Sequence, residues 1–186
     1  YIGSSAFVGC SNLTTISAPK VKEIESTAFR MCSLIESLDL PEAEVIHDYA
    51  FQYCSSITSI SLPKATEIQG NAFGGCQSLK SLHLPEAIEV GDHTFTACKS
   101  LETVVLNKVR EVGGSAFAGC TLLKSVYILA ESVPIGNSVW GMFYLTHSEL
   151  QIYVRESLIS AYKSSPGWYS LASRIVAYSG PETGPV

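Results

Sequence analysis

The stretch that decides the fold is residues 68–85, IQGNAFGGCQSLKSLHLP. Its phenylalanine and its cysteine both recur at a spacing of 22 residues, at Phe7, Phe29, Phe51, Phe73, Phe95 and Phe117 and at Cys10, Cys32, Cys54, Cys76, Cys98 and Cys120. A fixed period of this length is typical of a solenoid, in which each repeat buries its apolar face against the next one. The sequence therefore predicts a stack of six similar coils.

Each repeat predicts one short strand and one tight turn. In the stretch above, Leu82 and Leu84 alternate with polar residues, which favours a strand buried on one face. Pro85 ends that strand, because proline cannot donate the next ladder hydrogen bond. The Ala-Phe-x-x-Cys segment is too short for a regular α-helix and predicts a single helical or 3₁₀ turn. Stacking then brings the strands into one parallel sheet, with neighbours about 4.8 Å apart.

The unit Ile-x-x-x-Ala-Phe-x-x-Cys-x-x-Leu-x-x-Ile-x-Leu-Pro resembles the BspA-type leucine-rich repeat of bacterial surface proteins, over residues 1–128. The resemblance implies a repeat solenoid of the α/β class in which β-structure predominates. It implies a right-handed superhelix with a concave parallel sheet, short helical turns on the other side and a C-terminal helical cap. It further implies a secreted or surface-displayed adhesion protein, although such a resemblance indicates fold better than ligand.

The first repeat is incomplete. Ile2 aligns with Ile24 and Ile68, so the first coil lacks its own strand. Such an end would expose apolar core and an unpaired strand edge. We therefore expect further sequence upstream, including a signal peptide, and an extracellular or cell-surface location.

The last part of the chain departs from the repeat. Residues 129–154 predict a degenerate last repeat and a final strand, with Trp140 in place of the phenylalanine and Phe143 at the cysteine position. Residues 155–178 predict a helical cap, and the Pro/Gly-rich residues 179–186 predict a flexible tail. Within that tail, Pro-Glu-Thr-Gly resembles the core of a wall-sorting signal but lacks its leucine, so a linker is the simpler interpretation.

Composition limits the partners. The chain has 186 residues, is 46% hydrophobic and carries a net charge of −5, without the basic patch that nucleic-acid binding requires. No apolar run approaches the roughly 18 residues of a spanning helix. We expect an extracellular protein or glycan as partner, no nucleic acid, no membrane insertion in this segment, and a monomer.

The six cysteines have two interpretations. An even number in an extracellular protein suggests disulfides. However, equivalent residues on stacked coils point in the same direction, at about 4.8 Å spacing, whereas a disulfide requires converging bonds. A line of side chains does not converge on a metal ion either. We therefore predict buried structural thiols and no metal site or cofactor.

Charged side chains form two columns. The first alternates in sign from coil to coil and predicts exposed ion pairs between coils, at Lys20, Glu42, Lys64, Glu86 and Lys108. The second holds carboxylates, at Glu23, Glu67, Glu89 and Glu111. Evenly spaced single carboxylates make a poor calcium cage, so a solvated face is the simpler interpretation of the second column.

The outward residues of the strands form the candidate binding face. One column consists of small hydroxyls, at Thr15, Ser37, Ser59, Ser81, Thr103 and Ser125. The next column varies, and we predict ligand-binding residues there and in the aromatic C-terminal corner: Asp39, Ser61, His83, Val105, Tyr127, Trp140 and Tyr144. A simpler interpretation of the hydroxyls is that they suit a tightly curved sheet and bond across strands.

No catalytic motif occurs, and no acid, base and nucleophile converge in the repeat, so we predict no enzyme and no catalytic residues. We expect a non-catalytic surface module for adhesion or protein–protein interaction through the concave sheet. The alternatives are a glycan-binding module and a structural spacer that displays another domain.

Overall fold

A computed structural model describes residues 1–136 and 141–184 and shows a parallel β-solenoid of about seven turns. Long and short strands alternate along the chain: Thr15–Ser17 (β1), Glu23–Ile24 (β2), Ser37–Asp39 (β3), Val45–Ile46 (β4), Ser59–Ser61 (β5), Glu67–Ile68 (β6), Ser81–Leu84 (β7), Glu89–Val90 (β8), Thr103–Leu106 (β9), Glu111–Val112 (β10), Ser125–Ile128 (β11), Ile135–Gly136 (β12), Gln151–Arg155 (β13) and Ile175–Tyr178 (β14). The odd-numbered strands together with β14 form the concave sheet. The other even-numbered strands, from β2 to β12, form the back sheet.

Every strand pair is parallel. The back sheet is one ladder in the order β12-β10-β8-β6-β4-β2, and the concave sheet consists of two ladders, β1-β3-β5 and β14-β13-β11-β9-β7, which adjoin where β5 lies beside β7. Between β1 and β11 the register advances one repeat at a time, so that Leu82 pairs with Val104 and Val104 with Val126. The predicted parallel sheet is thus confirmed, and the back sheet is a second one.

The core is a set of side-chain columns that run along the solenoid. The phenylalanine rings stack with centroid distances of 5.0–5.5 Å and interplanar angles of 2–6°. From Phe29 to Phe117 these rings are buried, as are the aliphatic residues of the strands. Since a single coil cannot bury its apolar side alone, stacking of the coils creates the core.

The segment around each phenylalanine is a series of overlapping turns rather than a continuous helix. Around Phe73, the N–H groups of residues 72, 74 and 76 donate within the coil to the carbonyl three residues earlier, whereas those of residues 71, 73 and 75 donate to the next coil. Asn71 and Gly75 have positive φ angles of 56° and 77°. The alternation satisfies the buried backbone and ties neighbouring coils together in the same segment.

The last repeat is longer than the others, and this corrects one alignment. Phe143 stacks on Phe117 at 5.5 Å as the seventh ring of the column, so it occupies the phenylalanine position and not the cysteine position. In the concave sheet Ser125 likewise pairs with Gln151, 26 residues later. Extra residues in the last coil displaced the alignment made from the 22-residue spacing. Trp140 lies outside the described residues.

The C-terminal segment covers the last coil. It contains a 3₁₀ helix at Glu156–Leu158, an α-helix at Ile159–Ser164 (α1) and a second 3₁₀ helix at Tyr169–Arg174. Trp168 is buried and donates from Nε1 to the carbonyl of Pro134 at 2.7 Å. The helices expected over residues 155–178 do not extend to the end of that range, because β14 closes it as a strand that pairs with β13.

Ion pairs join neighbouring coils at two of the four neighbouring positions in the alternating column. Lys64 contacts Glu42, and Lys108 contacts Glu86, each with nitrogen and oxygen 2.7 Å apart. A further pair, Lys22–Glu44 at 2.7 Å, lies in a different column. All of these side chains are substantially exposed, so water and salt screen the pairs and each one stabilises the fold only weakly.

Candidate binding face

The concave sheet presents the two outward columns that the sequence predicts. The hydroxyl column is exposed at its first four residues and half-buried at Thr103 and Ser125. In the second column Ser17, Asp39, Ser61 and His83 are exposed. Small polar side chains over four coils make this part of the face shallow and open to solvent.

Three of the predicted ligand-binding residues lie in that shallow part. Asp39 accepts a hydrogen bond from the Ser17 hydroxyl at 2.9 Å, and Ser61 is the equivalent residue one coil further along. His83 places Nε2 3.2 Å from Oδ1 of Asn107 on the next coil. These residues share one column, but they are spread over successive strands and do not converge on a point.

Three tyrosines form a cluster at the C-terminal end of the sheet. The rings of Tyr127 and Tyr153 stack at 4.6 Å with an interplanar angle of 10°, and Tyr178 meets them edge-on at 5.2 and 6.4 Å. All three rings are half-buried. Burial raises the pKa of Tyr127; a hydrogen bond with Ser125 opposes the rise, and the two other tyrosines add to it. We call these three residues the tyrosine cluster.

The cluster differs in membership from the aromatic corner expected from the sequence. Tyr127 belongs to it, but Tyr144 does not: it follows Phe143 on the turn side of the solenoid, where its side chain is 63% exposed. Tyr153 takes the next place in the column because β13 alternates its side chains as β11 does. The alternation of Leu150, Ile152 and Val154 could have revealed Tyr153 from the sequence, since it places that residue outward.

Val105 is not available as a surface residue. Its side chain is only 5% exposed, because the end of the chain folds back over it. Gly184 lies so close that a Cβ atom there would stand 2.7 Å from Cγ1 of Val105. The column position of Val105 faces outward as predicted, but in this structure a non-repeating segment covers the residue.

That covering segment, residues 181–184, is named the strap. The backbone carbonyl of Glu182 accepts a hydrogen bond from Nδ2 of Asn107 at 2.9 Å. The Glu182 carboxylate lies 3.2 Å from Nη1 of Arg155, whose Nε donates to the carbonyl of Leu129 at 2.8 Å. Arg155 and Glu182 line two depressions, of about 400 and 570 Å³. The described part of the tail that the sequence predicts to be flexible thus lies on the concave face.

Carboxylates line part of the back sheet. Glu67, Glu89 and Glu111 are direct neighbours in the ladder, beside a depression of about 350 Å³ that Asp48 and Asp92 also line. Partial burial raises the pKa of Glu89, and the carboxylates on both sides add to the rise. Among residues 1–136 and 141–184, no group of three or more histidine, cysteine or acidic side chains has a metal-binding arrangement.

The cysteines are free thiols, as predicted. Each thiol from Cys32 to Cys120 donates to the carbonyl of the phenylalanine 25 residues earlier, over 2.9–3.4 Å, a bond that the sequence analysis did not anticipate. Burial raises the pKa of Cys54 to about 12, and it also raises the pKa of Cys76 well above the ordinary value of a thiol. Buried, protonated thiols are inert as nucleophiles. Cys10, at the first coil, is exposed.

Comparison with known proteins matches the BspA type leucine-rich repeat region in six copies, over residues 1–88 and 44–165. Among solved structures, the chain is similar to the leucine-rich repeat protein TpLRR of T. pallidum, with 30% identity and a TM-score of 0.69 over 79% of this chain and 71% of that one. It is also similar to a leucine-rich cell surface protein of Faecalibacterium prausnitzii A2-165, with 27% identity and a TM-score of 0.51 over 66% of this chain and 40% of that one.

The pneumococcal vaccine antigen PcpA has the same fold, with 20% identity and a TM-score of 0.68 over 91% of this chain and 41% of that one. No curated protein matches the chain in sequence. In the part of the chain that the structure describes, no helix has the length and apolar character needed to cross a bilayer.

Proposed function

Because the chain belongs to the BspA-type leucine-rich repeat family, we propose that it is a non-catalytic binding module of a bacterial surface protein and that its concave sheet contacts an extracellular protein. The family supports a protein-binding or structural role. The similarity to the cell surface protein of Faecalibacterium prausnitzii supports the proposed surface location. The binding surface comprises the tyrosine cluster and the shallow polar columns next to it.

The tyrosine cluster is the observation that carries this proposal. Tyrosine is enriched at protein interfaces, where it contributes apolar area and a hydroxyl at little cost in conformational entropy. Here three tyrosines stand together at one end of a face whose remaining outward residues are mostly small and polar. A spacer would require no such local difference on its concave face, so the cluster favours binding over simple display.

Ring geometry favours a protein over a glycan as the partner. One face of Tyr127 is covered by Tyr153, and its other neighbour in the ladder is Val105. Sugar rings typically stack on an open aromatic face, whereas protein side chains also contact ring edges and hydroxyls. Because one face of Tyr127 is covered by Tyr153, the cluster suits a protein partner better than a sugar ring.

The proposal is tested by screening the purified chain against arrays of extracellular proteins and of glycans. Tyr153→Ala is expected to weaken binding of a protein hit by about tenfold or more, the size of an interface hot spot. The matched control is Tyr169→Ala in the cap, where the tyrosine is 65% exposed but lies outside the concave sheet, and a change below about twofold is expected.

A protein hit that binds Tyr153→Ala as tightly as the unmodified chain would refute the assignment of this face. Hits confined to the glycan array would support the glycan-binding alternative instead. Far-UV circular dichroism of both variants separates a lost contact from a lost fold.

A further inference from the structure

We propose that the C-terminal end of the concave face is a docking site for an extended acidic segment of the protein partner, and that the strap occupies this site until the partner replaces it. The inference rests on the proposed function and adds the chemistry of the partner. It follows from how the strap is held, from the charges around it and from its exposure.

The strap shows what the site binds. The Glu182 backbone carbonyl accepts a hydrogen bond from Asn107, and the Glu182 carboxylate pairs with Arg155. Gly184, which has no side chain, packs against Val105. The anchoring groups come from β9 and the residue just after it and from β13, with β11 between them in the sheet, so a segment that crosses these strands meets all of them at once. The site therefore favours a carboxylate, followed two positions later by a glycine.

Positive charge is concentrated next to the strap. Lys108, Arg110 and Arg155 line the depression of about 400 Å³ beside Glu182, and they are three of only 12 lysines and arginines in a chain of net charge −5. Glu131 also lines it, and Lys108 is paired with Glu86. Arg110 and Arg155 thus remain as cationic partners for a segment with more than one carboxylate.

The second depression connects this site to the tyrosine cluster. Its volume is about 570 Å³, and its lining includes Tyr178 as well as Arg155 and Glu182. A partner segment longer than the strap can therefore run from the basic depression past Arg155 to the tyrosines.

The strap is held by contacts that a partner can replace. The Glu182 side chain is 84% exposed and Arg155 is 33% exposed, and ion pairs of this exposure contribute little. A tethered segment nevertheless competes at a local concentration of roughly millimolar. If it occupies the site in about 80% of molecules, it weakens the apparent affinity for a partner about fivefold.

The test uses a fluorescent peptide with the sequence of residues 179–184, SGPETG, blocked at both ends, and measures its binding by fluorescence anisotropy. The strap is opened by Gly184→Val, because residue 184 has a φ of +89° and any side chain there would clash with Val105. We expect this variant to bind the peptide at least about fivefold more tightly than the unmodified chain. Thr183→Val, an exposed position in the same strap, is the matched control and should behave like the unmodified chain.

A second peptide, SGPQTG, tests the carboxylate without any change to the protein. It is expected to bind the Gly184→Val variant more weakly than SGPETG, by up to about fivefold, since it cannot pair with Arg155. Equal binding of SGPETG to the opened and unmodified chains, or equal binding of the two peptides, would overturn the inference. If a protein hit still depends on Tyr153 in that case, the proposed function stands and only the acidic docking site is lost.

Discussion

The phenylalanine column makes a quantitative prediction about what holds the coils together. Phe73 has 0% exposure and lies between Phe51 and Phe95, at centroid distances of 5.1 and 5.5 Å. Phe73→Ala is expected to lower the free energy of unfolding by about 3–5 kcal/mol, because the transfer of the ring and the cavity it leaves both contribute. Such a loss is a large part of the stability of a domain of this size.

Phe7 provides the comparison within the same column. It is 41% exposed and stacks on Phe29 at 5.0 Å, so roughly 60% of its side chain is buried. At about 1.5–3 kcal/mol for a fully buried side chain, Phe7→Ala is expected to cost about 1–2 kcal/mol. Solvent can enter the space left beside this partly exposed ring, which removes most of the cavity contribution.

The assay is urea-induced unfolding followed by far-UV circular dichroism, with the slope and the midpoint fitted separately. Phe73→Leu, with an expected cost of about 1.5 kcal/mol, keeps the test usable if the alanine variant fails to fold. Leu122→Ala, at an exposed position, should change the free energy of unfolding by less than about 0.5 kcal/mol. A cost for Phe7→Ala equal to that for Phe73→Ala would refute the assignment of the column as the core.

Three further predictions concern the thiols, the close approach of neighbouring coils at Gly113 and the carboxylate column. In the native protein a thiol reagent should titrate the exposed Cys10 and spare the other five cysteines. All six cysteines should react in denaturant without reductant. Six reactive thiols in the native state would contradict the buried column. Gly113→Ala should lower the free energy of unfolding in urea by about 2 kcal/mol, because its Cβ would stand 2.5 Å from the backbone nitrogen of Asp92. Gly3→Ala, where the new Cβ would make only ordinary contacts, should be nearly neutral. Equal effects of the two substitutions would argue against the close approach at Gly113. The pKa of Glu89 is raised in the folded state, so ionisation of this carboxyl group reduces stability as the pH rises through that pKa. Glu89→Gln should therefore raise the thermal midpoint at pH 7 and lose this advantage near pH 4. An advantage that persists at pH 4 would exclude the electrostatic cause.

The parts of the candidate site that could be predicted are those that follow the repeat. Asp39, Ser61 and His83 face outward as expected, since β-strand alternation fixes their side. Tyr178 could not be placed from the sequence, because its segment has an apolar, partly helical pattern and becomes a strand only through pairing with β13. The thiol bonds to the phenylalanine carbonyls also required the distances between coils.

The sequence by itself determined the architecture: the 22-residue period, the core columns and the two outward columns of the concave sheet. It could do so because nearly every contact in a solenoid joins equivalent positions of neighbouring coils, so that the local pattern also specifies the tertiary neighbours. Only the tertiary structure decided the position of Phe143, the tyrosine cluster and the strap over Val105. These depend on contacts between parts of the chain that do not repeat, and no period in the sequence describes such contacts.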